Sequence, residues 1–134
     1  IPIVKEAVKA GVPWFAVAHL HEALEVRKHA PLARILILGV VQRDEVSLLL
    51  EHKITPVIVS QEQGRALSEA AYFLGETLPV HIKIDTGMGR LGVLWDEAEE
   101  IVQKLMNEKG LQVQGVCTHF ASVEIKKPSL APTQ

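Results

Sequence analysis

The segment His81-Ile82-Lys83-Ile84-Asp85-Thr86-Gly87-Met88-Gly89-Arg90-Leu91-Gly92-Val93 alternates apolar and polar side chains and then breaks into glycines. Taken from Val80, the even positions Val80, Ile82 and Ile84 are branched and apolar, while His81, Lys83 and Asp85 are polar. A period of two marks a strand whose two faces meet different surroundings. The turn beyond it carries Arg90, so an acid, cations and backbone freedom meet in one place. This pattern predicts the wall and rim of a ligand site.

The flanking chain alternates helix and strand signals. Apolar spacing predicts a helix over 3–10, stopped by Gly11, then a buried strand over 14–18. A helix over 22–29, a strand over 35–38 ended by Gly39, and a helix capped by Asp44 and running through Leu50 follow. After a strand over 55–59, Ser60-Gln61-Glu62-Gln63 forms a capping box for a helix carrying Ala66, Leu67, Ala70, Ala71 and Leu74. The strand over 80–84 leads to a helix capped by Asp96, with Ile101, Val102, Leu105 and Met106 on one face, and to a strand over 111–117. Beyond Glu124 the pattern stops, and 126–134 reads as loop.

Strict alternation with buried strands predicts an α/β fold with a parallel sheet covered by helices. An open doubly wound sheet and part of a (β/α)8 barrel both fit. In the open sheet both faces of a central strand meet helices, which would bury the row His81, Lys83, Asp85 at a cost of several kcal/mol per unpaired charge. A barrel points one strand face into its lumen, where polar groups near the C-terminal rim can meet a ligand. The barrel is therefore the expected architecture. An edge strand with one wet face is the plainer alternative. A complete barrel needs about 250 residues, and this chain has 134, so it is expected to hold part of one.

Composition narrows the function classes. The chain is 48% hydrophobic and 22% charged, which is ordinary for a globular domain, and its net charge of −2 gives nucleic acid no basic face. No apolar run approaches the roughly 20 residues of a membrane span. Cys117 is the sole cysteine, so no internal disulfide can form. Ile1-Pro2 at the start and Ala131-Pro132-Thr133-Gln134 at the end both look cut.

Gly87-Met88-Gly89-Arg90-Leu91-Gly92 matches the dinucleotide pattern G-x-G-x-x-G in letters only. That pattern needs a helix opening within the glycines and an acid about 20 residues on. Here the helix signal starts at Asp96, the later region holds Gln112 and Gln114, and Asp85 would repel a phosphate. The glycines instead form a turn that returns Arg90 over the strand end, or a plain surface turn with an exposed arginine. His119, just past the last strand, lies on the expected ligand rim, although a histidine held by backbone groups fits the pattern equally. His19 and His21 lack an acid or thiol at metal-ligand spacing, and no metal site is expected. His29, His52 and His81 show no constellation. Cys117 reads as a small buried residue, and Trp14 and Trp95 read as packing.

These residues carry a resemblance. Lys83-Ile84-Asp85-Thr86-Gly87-Met88-Gly89-Arg90-Leu91-Gly92 resembles the signature of bacterial alanine racemases, and Thr118-His119-Phe120-Ala121-Ser122 resembles their next strand-end motif. Ala16-Val17-Ala18, Glu22-Ala23-Leu24 and Ile35-Leu36-Ile37-Leu38-Gly39 match the family's earlier elements. The resemblance implies an eight-stranded barrel that binds pyridoxal 5'-phosphate, a β-rich C-terminal domain, and a cytoplasmic homodimer that interconverts L- and D-alanine for peptidoglycan. It implies that Arg90 faces the phenolic oxygen of the cofactor and the substrate. It further implies that Lys83, carbamylated in some members, orients Arg90 with support from Asp85, and that His119 lies against the pyridine ring.

The family's cofactor-bearing lysine lies in a Lys-Ala-Asn-Ala-Tyr-Gly-like segment on its first barrel strand, and no such segment occurs here. Residues 1–134 are therefore expected to form strands two to six of the barrel domain, with the catalytic lysine, the catalytic tyrosine and the C-terminal β domain outside them. His19 and His21 stand where the family usually has other residues. Racemisation needs an acid/base group on each face of the reacting carbon, so the isolated chain is expected to be inactive and poorly stable. The alternatives are another pyridoxal-phosphate barrel, such as a racemase of other specificity or a decarboxylase, and a non-enzymatic α/β module with Asp85 as its acid. The last would need further acids and a lysine at other strand ends, which the sequence does not supply.

Overall fold

The computed structural model describes residues 2–122. The elements run α1 (Pro2–Lys9), β1 (Trp14–Val17), α2 (Leu20–His29), β2 (Arg34–Ile37), a 3-10 turn (Arg43–Glu45), α3 (Val46–Glu51), β3 (Ile54–Ile58), α4 (Gln61–Phe73), β4 (Leu78–Asp85), β5 (Val93–Leu94), α5 (Ala98–Met106) and β6 (Leu111–Cys117). The region expected to be loop over 126–134 lies outside the described residues.

All strand pairs are parallel. The sheet runs β1-β2-β3-β4, with β6 on β4 and the short β5 pairing the end of β4 at Ile84↔Val93 and Asp85↔Leu94. Parallel strands leave one face for helices, and that face holds the core: Ile35, Ile37, Leu49, Ile54, Ile58, Leu67, Leu78, Val80, Ile82 and Leu105. Residues paired across a ladder share a face. Trp14↔Arg34, Leu36↔Thr55, Val57↔His81, His81↔Gly115 and Lys83↔Cys117 therefore define the opposite face. That face is concave. Trp14 on β1 and His81 on β4 lie three strand spacings apart, roughly 14 Å in a flat sheet, yet their ring centroids are 5.8 Å apart. The sheet curls as part of a barrel wall, as the polar row of β4 predicted.

Local chemistry shifts several helix starts from the sequence expectation. Asp44 does not cap α3. It sits inside the 3-10 turn, where the Glu45 carboxylate accepts from the Gln42 N–H at 2.7 Å. Asp96 does not cap α5 either, whose N-cap is Glu97 without a side-chain bond. Helix α2 starts two residues earlier than expected because Glu22 Oε2 reaches back to the Ala18 and His19 N–H groups at 2.8 and 3.2 Å. The Ser60 cap forms, its hydroxyl accepting from the Gln63 N–H at 3.2 Å. Gln63 returns not to Ser60 but to the Val59 N–H, at 2.9 Å. Trp95 is 70% exposed and Met106 64% exposed, so neither packs as expected. Arg27, within the helix expected over 22–29, joins the ends of α2 and α3. Its guanidinium donates to the carbonyls of Ala30, Pro31, Ala33, His52 and Lys53.

Candidate functional site

The glycine-rich turn is built around one carboxylate. Asp85 Oδ1 accepts from the Gly87 N–H at 2.9 Å and the Gly89 N–H at 3.0 Å, and Oδ2 accepts from the Arg90 N–H at 3.2 Å. These backbone donors, with the charge of Lys83 as a lesser contribution, hold the Asp85 carboxyl below its ordinary range. Parallel neighbours normally need a crossover of about a dozen residues or more. The link from β4 to β5 is shorter and is made possible by φ values of +129° at Gly87, +67° at Gly89 and +127° at Gly92. At Gly92 a Cβ would stand 2.8 Å from the Asp85 nitrogen and 2.9 Å from the Lys83 oxygen, so the backbone can lie against β4 only without a side chain. The helix opens at Ala98, well past the glycines, which removes the dinucleotide geometry.

Lys83 and Asp85 are 6% and 7% exposed, the charged pair buried in the wall. Among the described residues no fully buried side-chain nitrogen or oxygen lacks a partner. Cys117 pairs with Lys83 in the ladder and is half-buried; burial raises its thiol, partly offset by the lysine charge. Arg90 and His119 are both exposed at the C-terminal ends of the strands. Lys83 is thus brought to Asp85 and Cys117, and Arg90 joins them through its backbone N–H on the Asp85 carboxylate. His119 stands on the neighbouring strand end.

The sequence reading missed a hydroxyl pair. Thr118 Oγ1 lies 2.9 Å from the Ile84 carbonyl, which can only accept, so the Thr118 proton goes there. Thr86 Oγ1, 2.8 Å from Thr118 Oγ1, is then the donor in that contact. The pair continues the β4–β6 connection past its last ladder residues, Lys83↔Cys117. Both threonines stand in the quoted motifs, yet only folding shows that they meet. His81, expected to have no constellation, lies beside Trp14 and over Gly115, and burial lowers its pKa. His19 and His21 stack at 5.7 Å. Among the described residues no group of three or more His, Cys, Asp or Glu could hold a metal, and no helix is long and apolar enough to cross a membrane.

A cavity of about 910 Å³ lies at the opposite strand ends, lined by Trp14, Arg34, Thr55, Pro79 and His81. Parallel α/β folds bind ligands at the C-terminal strand ends. Chemistry therefore favours the Asp85 turn over that hollow, which is the open lower lumen of a partial barrel.

A family model for the alanine racemase N-terminal domain matches residues 1–134. The chain belongs to that family. A relative from Treponema pallidum, an alanine racemase, is 42% identical over 123 residues, covering 89% of this chain and 32% of its own length. The alanine racemase of Clostridium difficile, solved in complex with cycloserine, superposes with a TM-score of 0.83 at 32% identity, covering 91% of this chain and 34% of that one. A histidine racemase from Leuconostoc mesenteroides superposes at 0.85 with 28% identity, covering 96% of this chain and 35% of that one. The chain thus spans about a third of the length of the relatives it matches and supplies part of their barrel. The Asp85 turn lies within the residues that the family model matches.

Proposed function

We propose that the full-length protein interconverts L- and D-alanine with pyridoxal 5'-phosphate, supplying D-alanine for peptidoglycan as a cytoplasmic homodimer. The observation that carries this reading is the Asp85 turn, which presents Arg90 at the C-terminal strand ends, the rim on which His119 also lies, in a chain matched along its whole length by the family. The rim fits such a cofactor chemically. The Arg90 guanidinium suits an anionic phenolic oxygen, and the exposed His119 imidazole offers a flat face to a pyridine ring.

When bound, pyridoxal phosphate supplies an electron sink for the carbon that loses its proton. Arg90 would sit against the phenolic oxygen and the substrate side, and its fixed positive charge would disfavour a further proton on the ring. Lys83 would set the electrostatics below it, with or without carbamylation, and Asp85 would hold the turn. The proton-transferring lysine and tyrosine of this reading belong to segments outside residues 1–134.

The test is the full-length protein with pyridoxal phosphate and L-alanine, followed by chiral analysis of the product. Cofactor-dependent appearance of D-alanine supports the reading, and its absence with either enantiomer ends it. The likeness to a histidine racemase supports a second reading, a racemase of another amino acid on the same rim. Faster turnover of histidine than alanine in the same assay selects it.

A further inference from the structure

We propose that Thr86 and Thr118 are positioning residues: their hydroxyl pair locks the Arg90 turn to the end of β6 and so fixes Arg90 relative to His119. This rests on the racemase reading for its catalytic consequence, though not for its geometry.

The Arg90 turn leaves β4 at Asp85 and returns to it at Val93 and Leu94. His119 belongs to the other neighbour of β4, following β6, whose ladder to β4 ends at Lys83↔Cys117. Beyond that last ladder pair, strand pairing no longer joins the turn to the β6 end. The Thr118 hydroxyl closes that gap by donating to the Ile84 carbonyl, one residue before the carboxylate that organises the turn. Thr86, the first residue of the turn, then donates to Thr118. A hydroxyl both donates and accepts, which is why one atom can serve a carbonyl and a second hydroxyl at once. Valine has the shape of threonine and can do neither. Serine can do both.

The relation matters because Arg90 is exposed and its attachment is the backbone bond to Asp85. Its aim follows from where the turn as a whole sits. Small displacements of a positioning cation cost rate more than affinity when the interaction strengthens in the transition state.

The experiment uses the full-length protein as wild type, Thr118→Val, Thr118→Ser and Thr86→Val. In the holoenzyme the valine variants are expected to lose about tenfold in kcat with KM for alanine changed less than about threefold. The visible absorption band of the bound cofactor should shift, and Thr118→Ser should restore both within about twofold. In the cofactor-free protein, amide hydrogen exchange at Gly87 and Gly89 should be faster in both valine variants and normal in Thr118→Ser. Wild-type kcat and band in Thr118→Val, or a serine variant no better than valine, overturns the proposal. A wild-type protein that takes up no cofactor overturns the functional reading alone. The hydroxyl pair is then judged by exchange, where a wild-type rate in Thr118→Val overturns it.

Discussion

Trp14 and His81 meet across the concave face at 5.8 Å between ring centroids and a 55° tilt, although they belong to the first and fourth strands. Trp14 also carries the Arg34 guanidinium over its ring at 5.3 Å. His81 is thus walled by an indole and by Gly115, and burial lowers its pKa. A group whose folded pKa is depressed contributes stability above its unfolded value, here the ordinary imidazole value near 6.5, and loses it as pH falls through the folded one. Followed by NMR in the full-length protein, the His81 imidazole is expected to titrate below the ordinary imidazole value near 6.5. A His81 midpoint at or above that value would contradict the burial account.

Asp85 holds the turn by carboxylate oxygens alone, so Asp85→Asn turns one acceptor into a donor. An asparagine oxygen can keep the Gly87 and Gly89 N–H groups, but its amide nitrogen then faces the Arg90 N–H. On the proposed racemase reading, activity of the full-length protein is expected to fall by about tenfold to a hundredfold. The carboxyl is held low, so its contribution is fully present above the ordinary carboxyl range and disappears as pH falls through the folded value. Thermal melts across acid pH should therefore be flatter in the asparagine variant than in wild type.

Two glycine substitutions separate backbone strain from lack of space. A Cβ on Gly110 would stand 2.0 Å from the Ser68 carbonyl oxygen, at a contact where the Ser68 hydroxyl already accepts from the Gly110 N–H. At Gly89 nothing lies within 4 Å, and only the φ of +67° resists a side chain. Gly110→Ala is expected to cost about 3 kcal/mol or more. Gly89→Ala should cost roughly 1–2 kcal/mol. Equal losses in denaturant titrations would refute this ordering.

Arg27 binds carbonyls at the ends of two helices, a fork that lysine cannot reproduce. Arg27→Lys keeps the charge and is expected to destabilise the protein by about 2 kcal/mol. Lys53, held at φ +51° beside it, should become more susceptible to proteolysis. Unchanged melting in the lysine variant would show the fork to be dispensable.

The fold was legible where the pattern reports a face. The alternation on β4 implied a polar lumen, and the curl of the sheet agrees with it. The strand over 111–117 matched to the residue, because Gly110 and the apolar alternation mark it on both sides. Helix starts were less legible, because a cap is decided by which side chain reaches which N–H: Glu45 and Glu22 reach back from inside the helical segments, where pattern reading looks ahead of them. β5 was missed because two residues carry no period. The Thr86–Thr118 pair and the Trp14–His81 contact join residues far apart in sequence. Neither member of either pair announces its partner.

The pairing of β5 with the end of β4 has one more consequence. Asp85 and Leu94 are register partners, so both ends of the Arg90 turn are pinned to one strand. The turn behaves as a closed ring whose circumference is fixed. An inserted or deleted residue there cannot be absorbed by slack; it must undo the ladder or the carboxylate cradle. Length variation among homologous chains is therefore expected to gather elsewhere, as between α4 and β4, where Gly75 has open space around it. In this molecule the arginine's position is gauged by counting residues.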